Sequence, residues 1–157
     1  EPADEAYALG LFHNSGIPLM LKRFPEYMNV LEEAYAAAGD ECRIVDTENR
    51  ILNTNHAVVG YYTARLWRLP EHICEAIANH HNVQAVFSGP ADEKPQLRTL
   101  LAILKASEHL CSCYRVLGNQ ADDFEWQGIQ TQVLEHLRFS EYDFEIFRES
   151  VRELGIG

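Results

Sequence analysis

Six residues have the types that could do chemistry together: His13 with Asn14, His56, the pair His80-His81, and Glu108. Imidazole nitrogens and a carboxylate converging on one point suit iron, manganese, zinc or a similar divalent ion. The same groups can also hydrogen-bond one another and the backbone, forming a satisfied polar network with no ion. Other chemistries lack their signatures. No histidine has a glutamate three residues before it, as a di-iron carboxylate bundle needs, and there is no His-Glu-x-x-His, phosphate-binding glycine loop or glycine-framed serine.

The elements that must position these residues are helices. Ala6, Leu9 and His13 recur at helical spacing over residues 3–13, and Asn14-Ser15-Gly16 stops the run. A short apolar helix entered through Pro18 follows. Pro25 then opens one with the stripe Tyr27, Val30, Leu31, Ala34, Tyr35, which Gly39 is placed to cap. Asp40 can cap the next helix, which sets Ile44, Val45, Glu48 and Leu52 on one side. Asn53 tolerates a left-handed turn, and Thr54 or Asn55 caps the helix of His56. There His56, Gly60, Thr63 and Trp67 share a face, and Gly60 permits close approach. Leu69-Pro70 starts a helix ending at His80-His81, with Ile73, Ile77 and His80 on one face and Cys74, Ala78 and His81 on the next.

Residues 82–95, with Ser88-Gly89-Pro90 and Pro95, read as an exposed loop. One long helix is predicted over 96–117, with the stripe Leu97, Leu101, Leu104, Glu108, Cys111. A carboxylate within that stripe requires a partner, because an unpaired buried charge costs several kcal/mol, roughly, even after relaxation. Two more helices follow at about 125–138 and 140–154, the second with a Ser140/Asp143 capping box. No alternating strand occurs, so the fold class is all-α, seven or eight short helices in an irregular orthogonal bundle. Trp67 and Tyr61 read as core, and His72, His109 and His136 as surface residues.

At 157 residues and 46% hydrophobic the chain suits one domain with a core of its own. It starts at Glu1 inside a helical pattern, which reads as a trimmed start lacking N-terminal helices. The net charge of −11, from 24 acidic against 13 basic residues, disfavours nucleic acid and anionic membrane surfaces as partners. No apolar run is long enough for a bilayer crossing and no signal peptide is visible, so the cytoplasm is the expected location. Cys42, Cys74, Cys111 and Cys113 lack CxxC spacing and read as reduced, buried or half-buried thiols. The acidic face with Glu32, Glu33, Glu41 and Asp46 reads as solvated.

The string Ala8-Leu9-Gly10-Leu11-Phe12-His13-Asn14-Ser15-Gly16 resembles a "GLLHDIG" helix end. With Glu48, His56-Ala57-Val58-Val59-Gly60, Leu66-Trp67-Arg68-Leu69-Pro70 and His80-His81 it is similar to the HDOD domain, the bacterial signal-output branch of the HD metal-dependent phosphohydrolases. The resemblance covers about 5–116, leaving 117–157 as a C-terminal helical extension.

It implies an HD-type bundle and a metal site of His13, Asn14, His56, His80, His81 and Glu108. Asn14 stands where the family's metal-bridging aspartate belongs, and an asparagine oxygen is a much weaker ligand. On that ground the ion-free network is preferred, with a divalent Fe, Mn or Zn as the alternative. The function implied is a non-catalytic regulatory module. It would act through a signalling partner or a fused sensor or receiver domain, and self-pairing as a homodimer is compatible. The alternative is a metal-dependent phosphohydrolase acting on a phosphodiester. A third reading, a nucleotide-binding pocket, would first test Arg65 and Arg68, and few basic residues are expected to point inward.

Overall fold

The computed structural model describes residues 2–39, 41–90 and 92–155. They form eleven helical segments and no strand. In chain order these are α1 (Pro2–Phe12), α2 (Gly16–Arg23), α3 (Tyr27–Ala37), α4 (Ile44–Leu52), α5 (His56–Leu66), α6 (Glu71–Asn79), α7 (Val83–Ser88), α8 (Pro95–Leu110), α9 (Cys113–Val116), α10 (Phe124–Leu137) and α11 (Glu141–Glu153).

Two apolar clusters hold them. The first joins Leu9 of α1, Ile73 and Ile77 of α6, Leu97, Leu100, Leu101 and Leu104 of α8, and Trp126, Ile129 and Val133 of α10. The second joins Ile17 and Met20 of α2 to Tyr27, Leu31, Ala34 and Tyr35 of α3 and Ile44 of α4. α5 lies against both α6 and α2, so the His56 helix is the seam between the two clusters.

Local chemistry sets many boundaries where the sequence placed them. Asn53 turns left-handed (φ 55°) and ends α4. Asn55 then caps α5 by accepting a hydrogen bond from the Val58 amide at 2.9 Å. Ser140 and Asp143 form the capping box of α11. At the α2–α5 crossing a Cβ on Gly16 would stand 2.0 Å from the His56 carbonyl oxygen, so only a glycine lets these backbones meet.

Other expectations are corrected. Residues 82–95 are not all loop. Val83–Ser88 is helical because Val83 is buried and Val86 and Phe87 pack on the first cluster. The carbonyls that end this helix are satisfied from ten or so residues away, by the buried Arg98 guanidinium donating to Val86 O and Gly89 O at 3.0 and 2.5 Å. The long helix over 96–117 is broken, since Ser112 turns left-handed (φ 55°) between α8 and α9 and brings Tyr114 and Leu117 onto the second cluster. Cys111 is consequently exposed rather than part of the stripe.

Gly39 has no positive φ; its amide instead donates to Cys42 O at 3.0 Å. Asp40, expected to cap α4, lies outside the described residues. Trp67 is 57% exposed at the end of α5, edge-on to Phe12, and so is not core. The three histidines read as surface groups are all half-buried and partnered: His72 with Glu5, His109 with Asp123 and the Trp126 ring, and His136 with Thr99. No helix among the described residues is long and apolar enough to cross a membrane.

Candidate metal centre

The site is assembled from helix ends. α4 carries Glu48 inward, fully buried, to the N-terminus of α5, where a carboxylate is favoured by the amides and dipole of that helix. Glu48 Oε1 accepts from the Tyr27 hydroxyl at 2.5 Å and from the His56 amide at 3.3 Å, and its Oε2 lies 2.7 Å from His56 Nδ1. His80 and His81 sit just past the last turn of α6, both buried, where the chain leaves for α7.

Each of the three imidazoles uses Nδ1 in the same way. His56 Nδ1 faces the Glu48 carboxylate. His80 Nδ1 is 2.6 Å from Ile77 O and His81 Nδ1 is 2.7 Å from Glu125 Oε1. Carbonyl and carboxylate oxygens accept, so each Nδ1 donates and each neutral ring is left with a bare lone pair on Nε2. Those lone pairs point at one another: His56 Nε2 is 3.1 Å from His80 Nε2 and 3.2 Å from His81 Nε2. Burial, then the neighbouring positive charges, holds both His80 and His81 well below the usual histidine range, so those two rings are neutral near pH 7.

Three nitrogens converging in this way need either a shared proton or a metal ion among them. These are the described histidine, cysteine and carboxylate groups whose ligand atoms cluster within 4.8 Å. Two nitrogens on one tetrahedral zinc, each at about 2.0–2.1 Å, stand roughly 3.3 Å apart. The two separations from His56 fit that spacing, and the Nδ1 partners are the outer-shell acceptors that orient metal-binding histidines. His56, His80 and His81 can therefore hold a divalent ion. The ion-free network preferred from sequence would need a proton on His56 Nε2, shared between the other two rings.

The remaining candidates meet elsewhere. His13 Nδ1 bonds Gly10 O at 2.8 Å, its ring stands edge-on to His80, and its Nε2 is 3.1 Å from Glu108 Oε1. Asn14 makes no side-chain hydrogen bond among the described residues; its backbone carbonyl accepts from the Ile17 amide in the turn before α2. The partner that Glu108 required is Lys105, one turn earlier on α8 and 3% exposed. Its ammonium lies 2.8 Å from Glu108 Oε2, 2.9 Å from Glu125 Oε2 and 3.4 Å from His81 Nδ1. Burial alone would lower the lysine's pKa, but the Glu108 and Glu125 charges outweigh it and hold it above its ordinary value. Burial likewise pushes Glu108 up, and Lys105 with His13 overrides it, leaving Glu108 well below the carboxylate range. The expectation that few basic groups point inward overlooked this one.

Arg65 and Arg68, the first candidates for a nucleotide pocket, are exposed, and Arg65 is bonded to the Tyr61 hydroxyl. A cleft of about 300 Å3 does reach the centre's edge, between Cys42, Arg43 and Asp46 on one side and His81, Asn82 and Glu125 on the other.

Sequence reading found the histidines because they fall at helix ends, and it missed Lys105, Glu125 and Tyr27. Lys105 carried a signal in its i,i+3 spacing to Glu108. Glu125 carried none, since it meets His81 across 44 residues of chain.

Against known proteins, 96 residues are 30% identical to an uncharacterized protein of Treponema pallidum (strain Nichols), covering 61% of this chain and 18% of that protein. The chain thus spans less than a fifth of that relative's length. No solved structure matches. A family model for the HDOD domain matches residues 1–83, which hold His13, Glu48, His56, His80 and His81 and leave Lys105, Glu108 and Glu125 outside. With more than half of its 157 residues so matched, the chain belongs to the HDOD-domain family.

Proposed function

We propose that this HDOD domain is a regulatory output module of bacterial, cytoplasmic signal transduction, acting through contacts with a signalling protein or a fused sensor or receiver domain rather than by catalysis. The observation that carries this reading is the burial of the centre's side chains, which the neighbouring cleft meets only at the edge formed by His81 and Glu125. Glu48, His56, His80 and His81 are all 0–3% exposed, and Glu108 and Glu125, the carboxylates nearest to them, are tied to Lys105. A hydrolytic metal needs an open position for water and substrate. The length of the Treponema pallidum relative supports a domain that works within a larger protein.

In this reading the three histidines hold one divalent ion, zinc by its preference for imidazole, as a structural clamp between α5 and α6. Bound there, such an ion supplies Lewis acidity. Glu48, the Ile77 carbonyl and Glu125 fix the rings that face it.

The same Nε2 trio favours a second reading, a metal-dependent phosphohydrolase. Protein loaded with Zn(II), Mn(II) or Fe(II) and incubated with bis(p-nitrophenyl) phosphate separates the two. Release of nitrophenol no faster than the metal-only control is expected. Turnover that disappears in His56→Ala would refute the non-catalytic reading.

A further inference from the structure

The family resemblance implies a metal site in which His13, Asn14 and Glu108 join His56, His80 and His81, and the first three do not fit an ion of their own beside the histidine trio. Asn14 can offer only a neutral oxygen where a bridging carboxylate is needed, and of the two Glu108 oxygens one is taken by the Lys105 ammonium while the other faces His13 Nε2 at 3.1 Å. We infer that Lys105 is the resident cation of a carboxylate site formed by Glu108 and Glu125, standing in the place a second ion would need and confining metal to the histidine trio. The inference deepens the non-catalytic reading of this centre, on which it rests, but is tested separately from it.

The geometry is that of a built-in counter-ion rather than of a surface ion pair. The lysine side chain is 3% exposed, and both carboxylates lie within 2.9 Å of its nitrogen. They arrive from different helices, α8 and α10, so the fold closes around the charge. α10 lies beyond the matched residues 1–83, so the region after α7 completes this part of the site. An ammonium satisfies two carboxylates with directed hydrogen bonds, as a hydrated ion would, but it cannot activate water or leave. Removing it strands two half-buried carboxylates side by side. They must then protonate or recruit a cation from solution, and oxygen ligands suit Mn(II).

The test is the number of Mn(II) ions bound per chain, by isothermal titration and by mass spectrometry of the desalted protein, in the full chain and its variants. Lys105→Ala, which frees both charge and space, is expected to bind one more Mn(II) than the wild type. Lys105→Met, which fills the space without charge, is expected to gain none. Glu108→Gln in the Lys105→Ala background should abolish the extra ion. His80→Ala in that background should keep it, so a failure of the histidine site leaves this result standing. Should Lys105→Ala fold only when Mn(II) is supplied, the inference is supported. Folded Lys105→Ala with wild-type stoichiometry, or Lys105→Ala that stays unfolded with every concentration of Mn(II), would overturn it. Hydrolysis of bis(p-nitrophenyl) phosphate by the wild type bears on the non-catalytic reading alone.

Discussion

Glu48 has no exposed surface, and three donors hold its carboxylate: the Tyr27 hydroxyl, the His56 amide and His56 Nδ1. Truncating it leaves those donors buried without an acceptor. Glu48→Ala is therefore expected to destabilise the fold by about 3–5 kcal/mol, and Tyr27→Phe by about 1–2 kcal/mol, read from urea unfolding. A loss below about 1 kcal/mol for Glu48→Ala would show that solvent replaces these partners. The cysteines allow a second check at this scale. Burial, then the nearby Glu108 charge, pushes the Cys113 thiol up to about 12, and burial raises that of Cys74. Cys111 is exposed. In the folded protein at pH 8, N-ethylmaleimide should label Cys111 well before Cys113 and Cys74, as peptide mapping would show. Equal labelling of the three contradicts the placement of α9. That His13, His56, His80 and His81 point inward was legible in the sequence because each lies beside a helix stop or on an apolar stripe. Lys105 was overlooked, because one lysine in a helix of leucines and alanines looks like an outward side chain unless its i,i+3 spacing to the inward Glu108 is weighed.

Among the elements, α5 is the most constrained. Its start is fixed by Asn53 and Asn55, and its flank by the near contact of Gly16 with the His56 carbonyl. The sequence pointed to Gly60 as the site of close approach, and a Cβ there would indeed meet Ile77 Cγ2 at 3.1 Å, a side chain with some freedom to move. Gly16 faces rigid backbone. Gly16→Ala should cost upwards of about 3 kcal/mol, because α2 and α5 must separate, and Gly60→Ala about 1–2 kcal/mol. Thermal unfolding that ranks them in the opposite order would contradict this crossing. Caps and stops written in local residues, such as Asn53, Asn55 and Ser140/Asp143, were readable. The end of α7 was not, because its carbonyls are capped by Arg98 from a different helix, and the break after α8 was not, because no glycine or proline marks Ser112.

For the whole molecule, charge in the interior decides more than charge on the surface. His80 and His81 have folded-state pKa values below the ordinary histidine value. As pH falls below about 6.5, the unfolded chain takes up protons at these positions and the folded one does not, so stability is full above that pH and declines below it. Chelator-treated protein should lose about 1.4 kcal/mol per pH unit for each of the two histidines between roughly pH 6 and 5. Stability that is flat, or that rises, over that interval in denaturant titrations would mean that the rings are already charged in the folded state. The all-α class and the family were visible in the periodicity and in the ordered landmarks from Gly10 to His81. The balance of buried charge was not, because it depends on Glu125, which no local pattern connects to the centre. The most direct test of the account is the metal content of wild-type protein purified without chelator, measured by mass spectrometry beside His80→Ala. The account predicts one divalent ion per chain, lost in the variant. No bound metal would remove the histidine clamp, and two ions per chain would contradict the assignment of the second cation place to Lys105.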